Sequence, residues 1–225
     1  MTLSTATRER EACLLFGPQC DDLHQNVAYI RAAVGNDSKL LFLTRVIDQL
    51  PEVWPRIEES WPRLAQIGGL DQLVALRDLF SGKKSLNSMS GVKATNLLLT
   101  PVTVVRQLVE FYKLKNKAHH PALYWPSQNE LRIVDAQGFC VGMLAAITVS
   151  CSNDKFQFRE IASNAIRLAV CVGALVDLDD NSGDGHQSIV VRWKSQPELE
   201  LLQQLLKENG EVRSTQRDHS NDYFG

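Results

Sequence analysis

The sequence has almost no charge imbalance, no paired-cysteine motif and few histidines. Its 24 Lys and Arg stand against 26 Asp and Glu, for a net charge of −2. Without a basic excess, neither nucleic acid nor an anionic membrane surface is indicated as a partner. Met1 to Glu11 is polar and mixed in charge, and lacks the apolar core of a secretory signal. The longest apolar stretches, such as Leu168 to Val176, contain a glycine or fall short of the roughly 20 residues that span a bilayer. A soluble, cytoplasmic protein is the expectation. The cysteines are five (Cys13, Cys20, Cys140, Cys151 and Cys171). An odd, widely spaced set argues against a disulfide framework. No CxxC pair exists, and the adjacent His119 and His120 have no third ligand at a zinc-site interval, so no metal site is expected.

What is present is ordinary for a globular chain: 225 residues, 44% hydrophobic and 22% charged. That length suits one large domain, or one domain with a small appendage. Ala12 to Phe16 is a short apolar run ending at Gly17-Pro18, which fits a parallel strand buried on both faces. Asp21 and Asp22 then stand where a helix starts, and Leu23, Val27, Ile30, Ala33 and Val34 follow at helical spacing. Helical periodicity continues from Ser38 to Gln66, punctuated by Pro51, Pro55 and Pro62. Trp54-Pro55-Arg56-Ile57 and Trp61-Pro62-Arg63-Leu64 form a small duplication, and both tryptophans read as anchors on the core.

Further helices are expected over Leu70 to Phe80, Ala94 to Leu114, Met143 to Ser150, Phe156 to Leu175 and Glu198 to Asn209. Glu130 to Val134 and Ser188 to Trp193 read as strands. Strands alternate with helices, an order that favours an α/β domain with a parallel sheet.

Gly138-Phe139-Cys140-Val141-Gly142 lies between one such strand and one such helix. A Gly-x-nucleophile-x-Gly sequence places its central side chain on a strained strand-to-helix turn, where flanking side chains would collide. The following amide and the helix N-terminus can then stabilise an oxyanion. For a cysteine the same helix dipole favours the thiolate. Cys140 is therefore the candidate nucleophile. Cys13, Cys151 and Cys171 sit within apolar runs and read as small buried hydrophobes. Cys20 has no flanking motif.

Two segments carry a resemblance to a known family. Leu14-Leu15-Phe16-Gly17-Pro18-Gln19 opens the chain, and Gly138-Phe139-Cys140-Val141-Gly142-Met143-Leu144-Ala145-Ala146 follows in its second half. Together they resemble the starter-unit acyltransferase domain of fungal non-reducing polyketide synthases. Leu97 to Pro101, Val105 to Leu108 and Ala162 to Ala169 extend the likeness, so that it runs from about Ala12 to Glu208.

The resemblance implies an α/β, malonyl-transferase-like (α/β hydrolase-like) large subdomain over residues 12–180. An incomplete ferredoxin-like small subdomain would follow at 186–210, with a polar tail at 211–225. It implies transfer of an acyl group from coenzyme A, through Cys140, to an acyl carrier protein or polyketide synthase partner. The backbone amides of Gln19 and Val141 would form the oxyanion hole. Acyl-CoA would be the donor substrate, with no permanently bound cofactor.

The family pattern also calls for a histidine well downstream, beyond the small subdomain. The resemblance therefore implies a C-terminally truncated member without that segment. His186 and His219 have no matching local context; His119 and His120 precede the elbow on a loop that could fold over it; all four read as solvated loop residues. The alternative function is a catalytically impaired accessory protein that binds a carrier protein or synthase. An esterase-like reading would need Asp177, Asp179 or Asp180 followed by His186, a very tight spacing.

Overall fold

The computed structural model describes residues 10–19, 22–85, 94–117, 131–180 and 195–208. The chain divides into two compact units, residues 1–185 and 186–225. In the first unit β1 (Arg10–Phe16) leads into α1 (Leu23–Asn36), α2 (Leu41–Ser60), α3 (Gly69–Phe80) and α4 (Asn96–Lys117). After these come β2 (Leu131–Gly138), α5 (Gly142–Ser150) and α6 (Lys155–Asp180). Short 3-10 turns at Ser38–Leu40 and Pro62–Ile67 flank α2. The second unit contributes α7 (Gln196–Glu208) to the described residues. The expected strand at Ser188 to Trp193 and the polar tail lie outside them.

β1 and β2 pair in parallel, and this is the sheet among the described residues. One extra residue on β2, Val134, shifts the register between Ala12 and Cys13 and leaves Gly138 opposite Phe16. Neighbours on a strand point to opposite faces, so Leu14 and Phe16 turn inward onto the core while Cys13 and Leu15 turn out. Leu15 is 77% exposed. This corrects the expectation that β1 is buried on both faces: α5 packs on the strand pair, while Cys13 and Leu15 on the opposite face of β1 are exposed.

The core lies among the helices. α1 starts where Asp22 caps it, accepting from the Gln25 amide at 2.8 Å, and it buries Leu23, Val27, Ile30 and Ala33. α2 runs without interruption through Pro51 and Pro55, where punctuation was expected. Each proline removes one i→i−4 bond. Burial of Leu43, Val46, Ile47, Leu50 and Trp54 on one face outweighs that loss, at about 1.5–3 kcal/mol for each large side chain.

Trp54 is fully buried, and its indole lies so close to Gly69 that a Cβ there would sit 2.2 Å from the ring. Trp61 is 55% exposed, so the second tryptophan of the duplication is not a core anchor. It falls at the end of α2, where the chain turns off the helix axis.

α4 and α6 form the central pair. Small residues on α6 (Ala162, Ala165, Ala169 and Ala174) are buried and allow close approach. At Gly173 a Cβ would stand 2.2 Å from the Asn96 carbonyl, so the start of α4 rests directly on the α6 backbone. By length and composition α6 is long and apolar enough to cross a membrane, contrary to the reading of its sequence. Half of that stretch is buried against α2, α4 and α5.

Candidate active site

The site begins where β2 ends. Phe139 donates its amide to the Phe16 carbonyl at 3.0 Å, one residue beyond the last strand pair. The chain then reverses at Cys140, whose φ of 55° is the positive φ found at a non-glycine residue among those described. For a residue with a Cβ this left-handed conformation costs about 1–2 kcal/mol, and such strain gathers at functional sites.

The two flanking glycines are required by space. A Cβ on Gly138 would lie 2.3 Å from the backbone of Gly142, and one on Gly142 would lie 2.4 Å from the Phe16 oxygen and 2.5 Å from that of Gly17. The motif thus closes on itself and on the end of β1. The Cys140 side chain is exposed at the tip of this turn.

α5 follows at once. Gly142, Met143 and Leu144 donate their amides back to the carbonyls of Phe139, Cys140 and Val141 at 3.0–3.1 Å. Their donors are therefore spent inside the turn. The Val141 amide has no acceptor among the described residues, and neither has that of Gln19. Val141 is buried, at 7% exposure, and anchors the start of α5 in the core.

Gln19 follows the end of the other strand, β1. It stands two residues beyond Gly17, whose carbonyl abuts Gly142. Its half-buried side chain donates to Asn96 Oδ1 at 2.9 Å and accepts from the Thr100 hydroxyl at 2.7 Å. Gln107 donates to the Gly17 carbonyl at 2.8 Å. One stripe of α4 thus holds the whole Gly17–Gln19 turn. Asp177 of α6 accepts from the backbone amides of Asn96 (2.9 Å) and Leu97 (2.7 Å) and from the Asn96 side chain (2.9 Å).

Sequence reasoning did not find Asn96, Thr100 and Gln107. Thr100 and Gln107 fall within the segments that carry the family likeness, and all three share an i, i+4, i+11 spacing along α4. Asp177, weighed as a triad acid, instead caps α4.

Cys13, Cys151 and Cys171 do not behave as buried hydrophobes. Cys13 and Cys151 are exposed and Cys171 is half-buried. Cys13 lies on the open face of β1, 3.8 Å from Asp135. Local desolvation, followed by the negative charge of Asp135, pushes its thiol above the ordinary cysteine range. Burial pushes the Cys171 thiol up as well. Exposure alone therefore does not make Cys13 a competing nucleophile, since the thiolate is the reactive form.

Cys20, His119, His120, His186 and His219 lie outside the described residues. Among the described residues no three His, Cys, Asp or Glu side chains converge as a metal site.

Comparison with known proteins gives this geometry a context. The family profile described as "Starter unit:ACP transacylase in aflatoxin biosynthesis" matches residues 14–216. The non-reducing polyketide synthase mapC' of Penicillium brevicompactum is 45% identical over 203 residues, 88% of this chain and 9% of that protein. Its counterpart mapC from Penicillium roqueforti is 44% identical over 94% of this chain and 9% of its own length. The synthase adrD of Penicillium rubens is 44% identical over 91% of this chain and 8% of its own length. The chain spans about a tenth of the length of these curated relatives. The chain belongs to the starter unit:ACP transacylase family.

Proposed function

We propose that this chain is a starter-unit acyltransferase of fungal polyketide biosynthesis, which moves an acyl group from coenzyme A through Cys140 to an acyl carrier protein. The observation that carries this reading is the turn at Cys140, a strained, exposed thiol between a parallel strand and a helix, with a glycine on each side that the packing demands. Family membership and the relatives' names as non-reducing polyketide synthases support the same reading. The parallel β1–β2 pair supports assignment to a malonyl-transferase-like fold.

The Cys140 thiolate adds to the thioester carbonyl of acyl-CoA, forming a carbon–sulfur bond and an oxyanion. The amides of Val141 and Gln19, which have no acceptor within the described residues, receive that charge. Collapse breaks the bond to the coenzyme A sulfur, which leaves as thiolate and takes up a proton from solvent. The carrier's phosphopantetheine thiol loses its proton to solvent, attacks the acyl-enzyme carbonyl in the same way, and releases Cys140 as thiolate. Each preorganised amide lowers such a barrier by about 3 kcal/mol. No step calls for a resident cofactor.

The test is intact-mass analysis after incubation with short acyl-CoA donors. The protein gains one acyl group, the gain vanishes in Cys140→Ala, and added carrier protein removes it. A gain that persists in Cys140→Ala refutes the assignment of the nucleophile. A Cys140 adduct that no carrier protein accepts favours the impaired, partner-binding form.

A further inference from the structure

We infer that Asp177 and Asn96 are positioning residues that act through Gln19, holding the Gly17–Gln19 turn against the Cys140 elbow by a directed chain of hydrogen bonds. This rests on the reading of the Gln19 amide as an oxyanion donor. The chain has one polarity throughout. The Thr100 hydroxyl donates to Gln19 Oε1, Gln19 Nε2 donates to Asn96 Oδ1, and Asn96 Nδ2 donates to Asp177 Oδ1.

A side-chain amide is ambiguous by itself, because its two ends are nearly the same shape. Here a carboxylate, which only accepts, stands at the end of the chain and decides the orientation of Asn96. Asn96 then decides that of Gln19. Asp177 is 8% exposed, so the directing charge lies in a medium where such bonds strengthen one another.

Asp177 is itself fixed. Its other oxygen accepts from the Leu97 amide at 2.7 Å, and Gly173, one turn earlier on α6, touches the Asn96 carbonyl. The far side of the turn is held by Gln107 on the Gly17 carbonyl. The Gly17 oxygen in turn abuts Gly142. Two helices from the core thus set the place of the Gln19 backbone amide, α4 directly, from about 80 residues along the chain, and α6 through Asn96.

The experiment uses Asn96→Ala, Gln19→Ala and the double variant of the full chain, read by amide hydrogen exchange and by the rate of Cys140 acylation from acyl-CoA. In Asn96→Ala the Leu97 amide keeps its protection, because Asp177 still accepts from it. The Phe139 amide, which donates to Phe16, exchanges about tenfold faster as the turn loosens. Acylation slows by roughly tenfold to a hundredfold, the scale of a misplaced catalytic group, while KM for the donor stays unchanged. Gln19→Ala does the same, and the double variant is no slower than the slower single one.

Additive losses in the double variant overturn the inference. So does loss of protection at Leu97 with none at Phe139, which would mark a simple helix cap. If Phe139 responds as stated but the unmodified chain forms no acyl adduct, the hold on the turn is upheld and the reading of Cys140 as nucleophile falls instead.

Discussion

Gly142 meets the Phe16 carbonyl with no room between them: a Cβ at position 142 would lie 2.4 Å from that oxygen. The first residue of α5 therefore touches the last residue of β1, though the two are more than a hundred positions apart. Gly138 closes the same contact from β2, where its own Cβ would strike Gly142. Strand, turn and helix meet in a space only bare backbone can fill, and Cys140 is forced outward over the junction.

Gly142→Ala should therefore destabilise the chain and misplace the elbow together. The clash is with the backbone of Phe16 and Gly17, so no flexible side chain can give way. Overpacking of this kind costs about 1–3 kcal/mol. For a chain of this size that lowers the melting temperature by several degrees, at about 2–4 °C per kcal/mol. Calorimetry on Gly142→Ala checks it, and an unchanged melting temperature would mean that the junction is loose.

Cys140 itself should be a residue the fold keeps at a cost. Its φ of 55° is easy for glycine and strained for any residue with a Cβ. Relief of that strain gains about 1–2 kcal/mol, and the freer unfolded chain of glycine gives back about 0.4–1. Cys140→Gly should then be more stable than Cys140→Ala by roughly 0.5–1 kcal/mol, although both lose the thiol. Urea unfolding of the two variants side by side measures the difference. Equal midpoints would show that the turn relaxes out of the left-handed region once the sulfur is gone.

Much of this arrangement was legible before any coordinates. The apolar run before Gly17-Pro18 and the Gly138–Gly142 motif are local signals, each written in a few neighbouring residues. The tight contacts of Gly138 and Gly142 follow from the same pattern that suggested the elbow. Less legible was whatever depends on residues far apart. Cys13 and Leu15 look like the rest of an apolar strand, and only the position of α5 decides that their face stays open. Pro51 and Pro55 are helix breakers by local rule, and the burial of Ile47, Leu50 and Trp54 overrides it. Asp177 reads in the sequence only as one of three acids an esterase-like site could use. Its work on Asn96 and Leu97 joins positions 80 residues apart, and nothing in the sequence nearby records that.

Lys115, near the end of α4, makes stability depend on pH in a direction that can be stated. Desolvation, with the charge of Lys155 beside it, lowers its ammonium pKa from 10.5 to about 8. The folded state therefore disfavours the charged form that the unfolded chain carries easily. Below pH 8 both states are protonated, and the folded chain bears the whole penalty. Between about 8 and 10.5 the unfolded state binds more protons, so stability from this group rises with pH across that window. Lys115→Gln removes the group and its penalty. The variant should be more stable than the parent at pH 7, and its advantage should shrink as pH rises through 8 towards 10.5. Paired denaturant titrations at several pH values measure that difference and cancel the titrations common to both chains. An advantage that stays constant with pH would show that Lys115 titrates alike in the folded and unfolded chains.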